Sequence, residues 1–167
     1  MLLGVVSDTH LHSGTGSLHP GLSSAFEGVE LILHAGDIVS LSVLEDLRRI
    51  APVEAVAGNM DLPEVKRLLP ERKIIEVGGH RIGLTHGAGA VSSIRSRVKS
   101  LFEGVTVIVF GHSHSPMILR EDGILLMNPG SPTDRRGSVG GTVGRLHVDR
   151  DVQGEILSLE EWNPGRP

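Results

Sequence analysis

Seven side chains able to hold a metal ion stand in five short stretches of this chain. They are Asp8 and His10 in SDTH, Asp37 in AGD, Asn59 in GNMD, His86 in LTHG, and His112 and His114 in GHSH. Each stretch follows an apolar run, and glycine is a frequent neighbour. The donors are carboxylate, amide and imidazole. The chain has no cysteine, so disulfides and thiolate sites are excluded. Such a donor set suits divalent transition ions: Mn²⁺, Fe²⁺, Ni²⁺, Co²⁺ or Zn²⁺. Seven groups are too many for one ion and suit two ions that share a carboxylate. Singly, a D-x-H or a GD turn says little. Their recurrence in this order, each after an apolar run, points to a metal centre.

Those groups can meet only if the runs before them are neighbouring strands. LLGVVS (residues 2–7), ELILH (30–34) and VEAVAG (53–58) read as short buried strands. Helical patterns lie between and after them. Leu41, Leu44 and Leu47 recur at three-residue intervals, with Ser40 as the expected N-cap. Val91, Ile94, Val98, Leu101 and Phe102 form one helix face, with Arg95 and Lys99 on another. Alternation of strand and helix predicts parallel strands. The second half differs. Residues 72–86 read as a hairpin about Gly78-Gly79, residues 117–131 as another about Asp122-Gly123, and residues 140–162 as a third strand pair. In parallel α/β sheets ligands gather beyond the carboxyl ends of the strands, where these groups fall. In an extended segment residues i and i+2 share a side. This predicts that Asp8 and His10, and likewise His112 and His114, reach the centre along continuing strands. Gly36, Gly58, Gly87 and Gly111 are expected to make the tight turns.

Composition narrows the partners. The chain has 167 residues, 39% of them hydrophobic, which fits one domain, since domains commonly run to about 100–200 residues. We expect a single domain over residues 1–163 and a tail at 164–167. No apolar run approaches the roughly 20 residues of a membrane span. The start, MLLGVVSDTH, lacks a basic region and a small-residue cleavage site, so it reads as a first strand rather than a signal peptide. Cytoplasmic is therefore the default location. A net charge of −4, with three Phe, one Trp and no Tyr, leaves neither a basic stripe nor a stacking platform for nucleic acid.

The ordered set D-x-H, G-D, G-N, lone H, G-H-x-H resembles the calcineurin-like metallophosphoesterases, over nearly the whole chain. The short length, HAGD, GN-x-D and NPGSP (residues 128–132) are most similar to small YfcE-type phosphodiesterases, whose fold the non-catalytic retromer subunit Vps29 shares. The resemblance implies a four-layer α-β-β-α sandwich: two mixed β-sheets packed face to face and flanked by helices. It also implies a hydrolase acting on phosphoric esters, and ligand sets. One ion would take Asp8, His10, Asp37 and His114. The other would take Asp37, Asn59, His86 and His112, with Asp37 bridging, and a water or hydroxide between the ions would be the nucleophile. Asp37, Asn59 and His86 would be the catalytic core of that set. Mn²⁺ is the first expectation for the metal. A small phosphoester is the expected substrate, and relatives suggest a homo-oligomer, dimer or tetramer.

One departure bears on the substrate. Many larger relatives carry histidine after the asparagine, placed to protonate the leaving alkoxide; here that position is Met60. A general acid commonly contributes about 10²–10⁴-fold, so phosphodiesters with good leaving groups are favoured over ordinary monoesters. His12 is a candidate replacement, though a solvated loop histidine is the simpler reading. Asp61 reads as an orienting partner of a ligand histidine or as a surface carboxylate, and His34 as a buried partner near the metals or a plain strand-end residue. His19, His80 and His147 are expected to do nothing catalytic. Residues 95–99, RSRVK, read as a solvated helix face before a nucleic-acid patch, and one of Arg135 and Arg136, after the NPGSP loop, is a minor candidate to reach a substrate phosphate. A Vps29-like scaffold and a nuclease remain the competing functions.

Overall fold

Neighbouring positions of the first strand serve different layers, and the whole architecture follows from that. In β1 (Leu2–Val6) Leu3 and Val5 join one apolar cluster while Val6 joins another. Side chains alternate along a strand, so a strand apolar at successive positions must be covered on both faces. The computed structural model describes residues 1–11, 18–133 and 141–159.

The first sheet has the order β10-β9-β1-β2-β3. It consists of β1, β2 (Leu31–His34), β3 (Val53–Ala55), β9 (Thr142–Val148) and β10 (Val152–Ser158). The second has the order β4-β5-β6-β8-β7. It holds β4 (Arg72–Val77), β5 (His80–Thr85), β6 (Val107–Val109), β7 (Met117–Glu121) and β8 (Ile124–Asn128). Both are mixed. β1, β2 and β3 run parallel, with Val5 opposite Leu33, and so do β5, β6 and β8. The remaining pairings are antiparallel.

Between the sheets lies the cluster of Leu3, Val5, Leu33, Val56, Ile82, Leu84, Val107, Val109 and Met127. The outer face of the first sheet is covered by α1 (Gly21–Ala25), α2 (Ser42–Arg48) and α3 (Pro63–Leu68) through Leu22, Phe26, Leu44, Leu47 and Val65. The outer face of the second is covered by α4 (Ile94–Ser100), entered through a 3-10 turn at Val91–Ser93, through Ile94, Val98 and Phe102. The expected α-β-β-α sandwich is what forms. Both halves repeat one packing device. A Cβ at Gly4 would lie 3.1 Å from the Phe26 ring, and one at Gly83 would lie 2.8 Å from the Phe102 ring. A glycine in a central strand thus seats an aromatic ring from the helical layer.

The Gly78-Gly79 and Asp122-Gly123 turns have positive φ at both residues, 58° and 81° in one and 52° and 80° in the other. Those are the hairpin turns the dipeptides predict. Some details differ from the sequence pattern. Leu41, not Ser40, occupies the N-cap of α2, and the Ser40 hydroxyl instead lies 2.9 Å from Ser42 Oγ. No helical pattern marks the short α1 and α3, although Pro63 at the first turn of α3 is a start signal. Among the described residues no helix is long and apolar enough to cross a membrane.

Candidate metal centre

The parallel strands of both sheets deliver their carboxyl ends to one region, but the chain does not stay extended there. β1 stops at Val6, and Asp8 and His10 take φ of 55° and 47°. Asp37 has φ 54°, and His112 and His114 have 70° and 54°. Asp8 and His10, and likewise His112 and His114, therefore do not stand on continuing extended strands as their i, i+2 spacing predicts, although the side chains do converge. Left-handed backbone at a non-glycine residue costs about 1–3 kcal/mol and persists only when its surroundings enforce it. Here the loops enforce it on one another. The Asp8 N–H donates to the Gly36 carbonyl (3.0 Å), the His10 N–H to the Asp37 carbonyl (3.1 Å) and the Gly111 N–H to the His86 carbonyl (3.1 Å).

The glycines divide into two kinds. Gly36 and Gly87 have φ of 89° and 85°, as expected of turns. Gly58 and Gly111 are required by crowding instead: a Cβ at Gly58 would lie 2.1 Å from Asp37 Oδ1, and one at Gly111 2.7 Å from Asp8 Oδ2.

Each carboxylate has one anchored oxygen and one oxygen turned to the centre. Asp8 Oδ2 accepts the His112 N–H at 3.1 Å and faces the Ser7 hydroxyl at 2.7 Å. Asp8 Oδ1 points the other way, 3.2 Å from His114 Nε2, 3.8 Å from His10 Nε2 and 3.9 Å from His86 Nε2. Asp37 Oδ1 accepts the Met60 N–H at 2.8 Å, while Oδ2 lies 3.2 Å from His86 Nε2 and 3.7 Å from His10 Nε2. Donor atoms of Asp8, His10 and His114, and again of Asp8, Asp37 and His86, lie within 4.8 Å of one another. Asn59 and His112 complete the cluster, with Asn59 Oδ1 at 3.0 Å from His112 Nδ1 and the His112 ring edge-on to His86 at 5.4 Å. All seven expected residues therefore meet. A pocket of ≈ 480 Å³ opens over them, lined by His10, Asp37, Asn59, Met60, His112, His114 and Thr133.

The donor set also passes a chemical test. Asp8 Oδ1 and His86 Nε2 are buried and make no hydrogen bond. An orphaned buried polar atom costs about 1–3 kcal/mol, more when charged. His86 donates from Nδ1 to the Ala35 carbonyl (2.7 Å), so in the neutral ring Nε2 is a lone pair aimed at the two carboxylates. Two such atoms facing one centre fit a bound cation.

The electrostatics point the same way. Burial works to raise the Asp8 pKa, but the close imidazoles of His10 and His114, the charge of His86 and the Ser7 hydroxyl outweigh it and hold the group well below the usual carboxylate range. Burial also opposes ionisation of Asp37, and the close contact and charge of His86 overcome it, so that pKa is lowered too. Burial disfavours a charged His86, yet the close contact with Asp37 and the charges of Asp8 and Asp37 raise its pKa. A proton on His86 thus does part of the neutralising that an ion would do.

Further residues hold the ligands in place. Asp61 is neither a surface carboxylate nor a histidine partner. It is buried, and its two oxygens accept the Val39 N–H (2.6 Å) and the Gly58 N–H (2.7 Å), tying the AGD turn to the GNMD turn. That explains how β-branched Val39 holds φ 70°. His34 is the buried, hydrogen-bonded partner. It accepts the Gly36 N–H at Nδ1 (3.2 Å) and faces Thr9 Oγ1 from Nε2 (3.2 Å), and burial pushes its pKa down to about 3, so it stays neutral. Asn128, which the sequence does not single out, donates to the Gly111 carbonyl (2.7 Å) and accepts the Gly130 N–H (2.9 Å). The Ser131 hydroxyl donates to the Asp8 carbonyl at 2.8 Å. The only prior sign of these two was their place in an NPGSP loop after a strand. His19 accepts the Gly21 N–H, His80 meets the Asp149 carbonyl, and His147 pairs with Glu155, all structural contacts. His12, Arg135, Arg136 and the 164–167 tail lie outside the described residues.

The comparisons with known proteins agree with this geometry. A probable metallophosphoesterase of Methanothermobacter thermautotrophicus is 38% identical over 171 residues, covering 100% of this chain and 95% of that protein. A phosphodiesterase of Methanocaldococcus jannaschii is 31% identical, covering 94% of this chain and 99% of its own. Among solved structures, one described as a novel archaeal phosphodiesterase superposes with a TM-score of 0.70 at 26% identity, covering 94% of this chain and 100% of that one. The zinc complex of Entamoeba histolytica Vps29 superposes at 0.70 with 21% identity, covering 95% and 99%, a likeness of fold alone. Residues 1–151 match the calcineurin-like phosphoesterase superfamily domain from end to end of the metal centre, and the chain belongs to that family.

Proposed function

We propose that the protein is a phosphodiesterase working with two divalent ions. One is held by Asp8, His10, Asp37 and His114, the other by Asp37, Asn59, His86 and His112. The observation that carries this is the pair of orphaned buried atoms, Asp8 Oδ1 and His86 Nε2, one in each ligand set, flanking Asp37 Oδ2. Asp37 Oδ2 sits near His86 of one set and His10 of the other, which suits it to bridge. When bound, such ions hold phosphoryl oxygens, acidify a water and stabilise both ends of an in-line displacement. Mn²⁺ heads the candidates, with Ni²⁺, Fe²⁺, Co²⁺ and Zn²⁺ behind it.

The chain's own residues shape the rest. Asp8 and Asp37 are ionised before any ion arrives, since both pKa values are lowered. Asn59 binds as a neutral group and so leaves the centre positive enough to attract phosphate. Met60 lines the pocket, 60% exposed, and has no proton to give a leaving alkoxide. Diesters with good leaving groups follow, in line with the phosphodiesterase relatives.

The test is metal analysis joined to turnover. Two ions per chain, with bis-p-nitrophenyl phosphate cleaved faster than glycerol phosphate, is the expected result. No retained ion under any condition would leave only a scaffold. Preference for the monoester would refute the argument from Met60.

A further inference from the structure

Residues 88–90, between the ligand His86 and α4, carry no ligand themselves, yet they decide which ring nitrogen of another ligand is free. His112 Nε2 lies 2.9 Å from the Gly89 carbonyl. The Gly89 carbonyl can only accept, and so can Asn59 Oδ1, 3.0 Å from Nδ1; the Asn59 amide can rotate to offer its NH₂ and the backbone carbonyl cannot, so the ring proton belongs on Nε2 and Nδ1 is left as a lone pair. What fixes Gly89 is Arg97 of α4. Its Nε donates to the Ala88 carbonyl at 2.8 Å and its Nη2 to the Ala90 carbonyl, one on each side of Gly89. A Cβ on Gly89, whose φ is 76°, would lie 3.2 Å from Arg97 Cζ, so the guanidinium packs directly against that residue. Residues 95–99 read as a solvated helix face; Arg97 instead turns inward to this loop.

We propose that Arg97 is a positioning residue for the ion on the Asn59 side. It clamps the 88–90 loop so that the Gly89 carbonyl holds the His112 proton on Nε2 and presents Nδ1 beside Asn59. The part concerning the ion rests on the two-ion reading; the part concerning the tautomer does not. A planar fork can span two carbonyls, which a lysine ammonium cannot do in the same way. Groups that orient a metal-ligating histidine typically matter by about 10–100-fold in metal affinity. Arg97 also meets Ser93 Oγ at the start of α4, so a purely structural role is the rival account, and the test must separate the two.

The experiment compares the wild-type chain with Arg97→Ala and Arg97→Lys. Histidine ¹⁵N–¹H spectra of metal-free protein at alkaline pH, with His112→Asn to assign the signals, read the tautomer. Calorimetric titration with Mn²⁺ reads the two affinities. We expect one Nε2–H tautomer in wild type and a mixture in Arg97→Ala. The weaker ion should lose affinity about tenfold or more, with the tighter ion within about twofold and Arg97→Lys falling between. An Arg97→Ala protein that keeps the single tautomer and both affinities, even with a lowered Tm, overturns the proposal. If Arg97→Ala does not fold, Arg97→Lys carries the same readings. If wild type binds no ion, the functional reading fails, while the tautomer comparison still decides the role of Arg97.

Discussion

The two proposed ligand sets share Asp37 and little else. On one side, Asp8 is fully buried, His114 nearly so, and the donor atoms of Asp8, His10 and His114 already lie within 4.8 Å of one another. On the other, only His86 is buried; Asn59 is exposed and His112 half-exposed. The ring of His86 is oriented by the Ala35 carbonyl, directly after β2, where the Ala35 N–H is itself bonded to the Val6 carbonyl at 2.8 Å. The ring of His112 is oriented by a loop carbonyl that depends on Arg97. The Asp8 side has a second carboxylate, and the Asn59 side has a neutral amide in its place. Charge and preorganisation both favour the Asp8 side, so the two proposed ions should bind in sequence rather than together.

The sharpest way to break this comparison is to remove what the sides have in common. Asp37→Ala should abolish both ions and, since such ions supply several kcal/mol, lower kcat by about 10³-fold or more. Retention of one tight ion by that variant would mean Asp37 serves one side alone. Next in size, Asn59→Ala should reduce metal content from two ions to one and lower activity with it. Asn59→Asp should instead tighten the second ion while raising KM, because an added negative charge repels the phosphodiester. Equal loss of both ions in Asn59→Ala would erase the distinction between the sides.

Protons should discriminate the sides as well. The pKa of His86 is raised above the ordinary histidine value of 6.5, and an ion on the Asn59 side must displace that proton. Binding of the second ion should therefore strengthen as pH rises and level off once the raised pKa is passed. The same shift governs the stripped protein. The protonated His86 contributes stability that is full below 6.5 and is lost as pH climbs through the raised value. Asp8 and Asp37 contribute stability present above 3.8 and lost as pH falls through their lowered values. Thermal melts of chelated protein should thus decline from neutral towards alkaline pH, and loaded protein should not. A Tm of chelated protein that is flat across that range would contradict it. The smallest effect is structural. Asp61→Asn puts an amide where two backbone N–H groups need acceptors, and should cost about 1–3 kcal/mol. At about 2–4 °C per kcal/mol for a chain of this size, a Tm drop of a few degrees is the measurement.

Much of this was legible beforehand. Strand runs, the two hairpin turns and all seven clustered residues follow from local pattern and order. What stayed hidden is specific. Asp61 reads locally as a histidine partner or a surface carboxylate, because nothing near it in sequence shows that the Val39 and Gly58 N–H groups will converge on it. Asn128 looked like an ordinary loop residue because its partner, the Gly111 carbonyl, comes from another strand end. Arg97 sat in a basic run with no mark of its inward turn.

From its residues alone the chain determined which side chains could hold metal, and that strands would carry them to one edge. Alternation and turn preference act between near neighbours, so they can be read from near neighbours. Only the tertiary structure decided how the ligands aim. Asp8, His10, Asp37, His112 and His114 all adopt left-handed backbone that none of them favours by itself, and hydrogen bonds from loops far away in sequence impose it. That energy arises between segments, and exists only once the two sheets have brought their strand ends together.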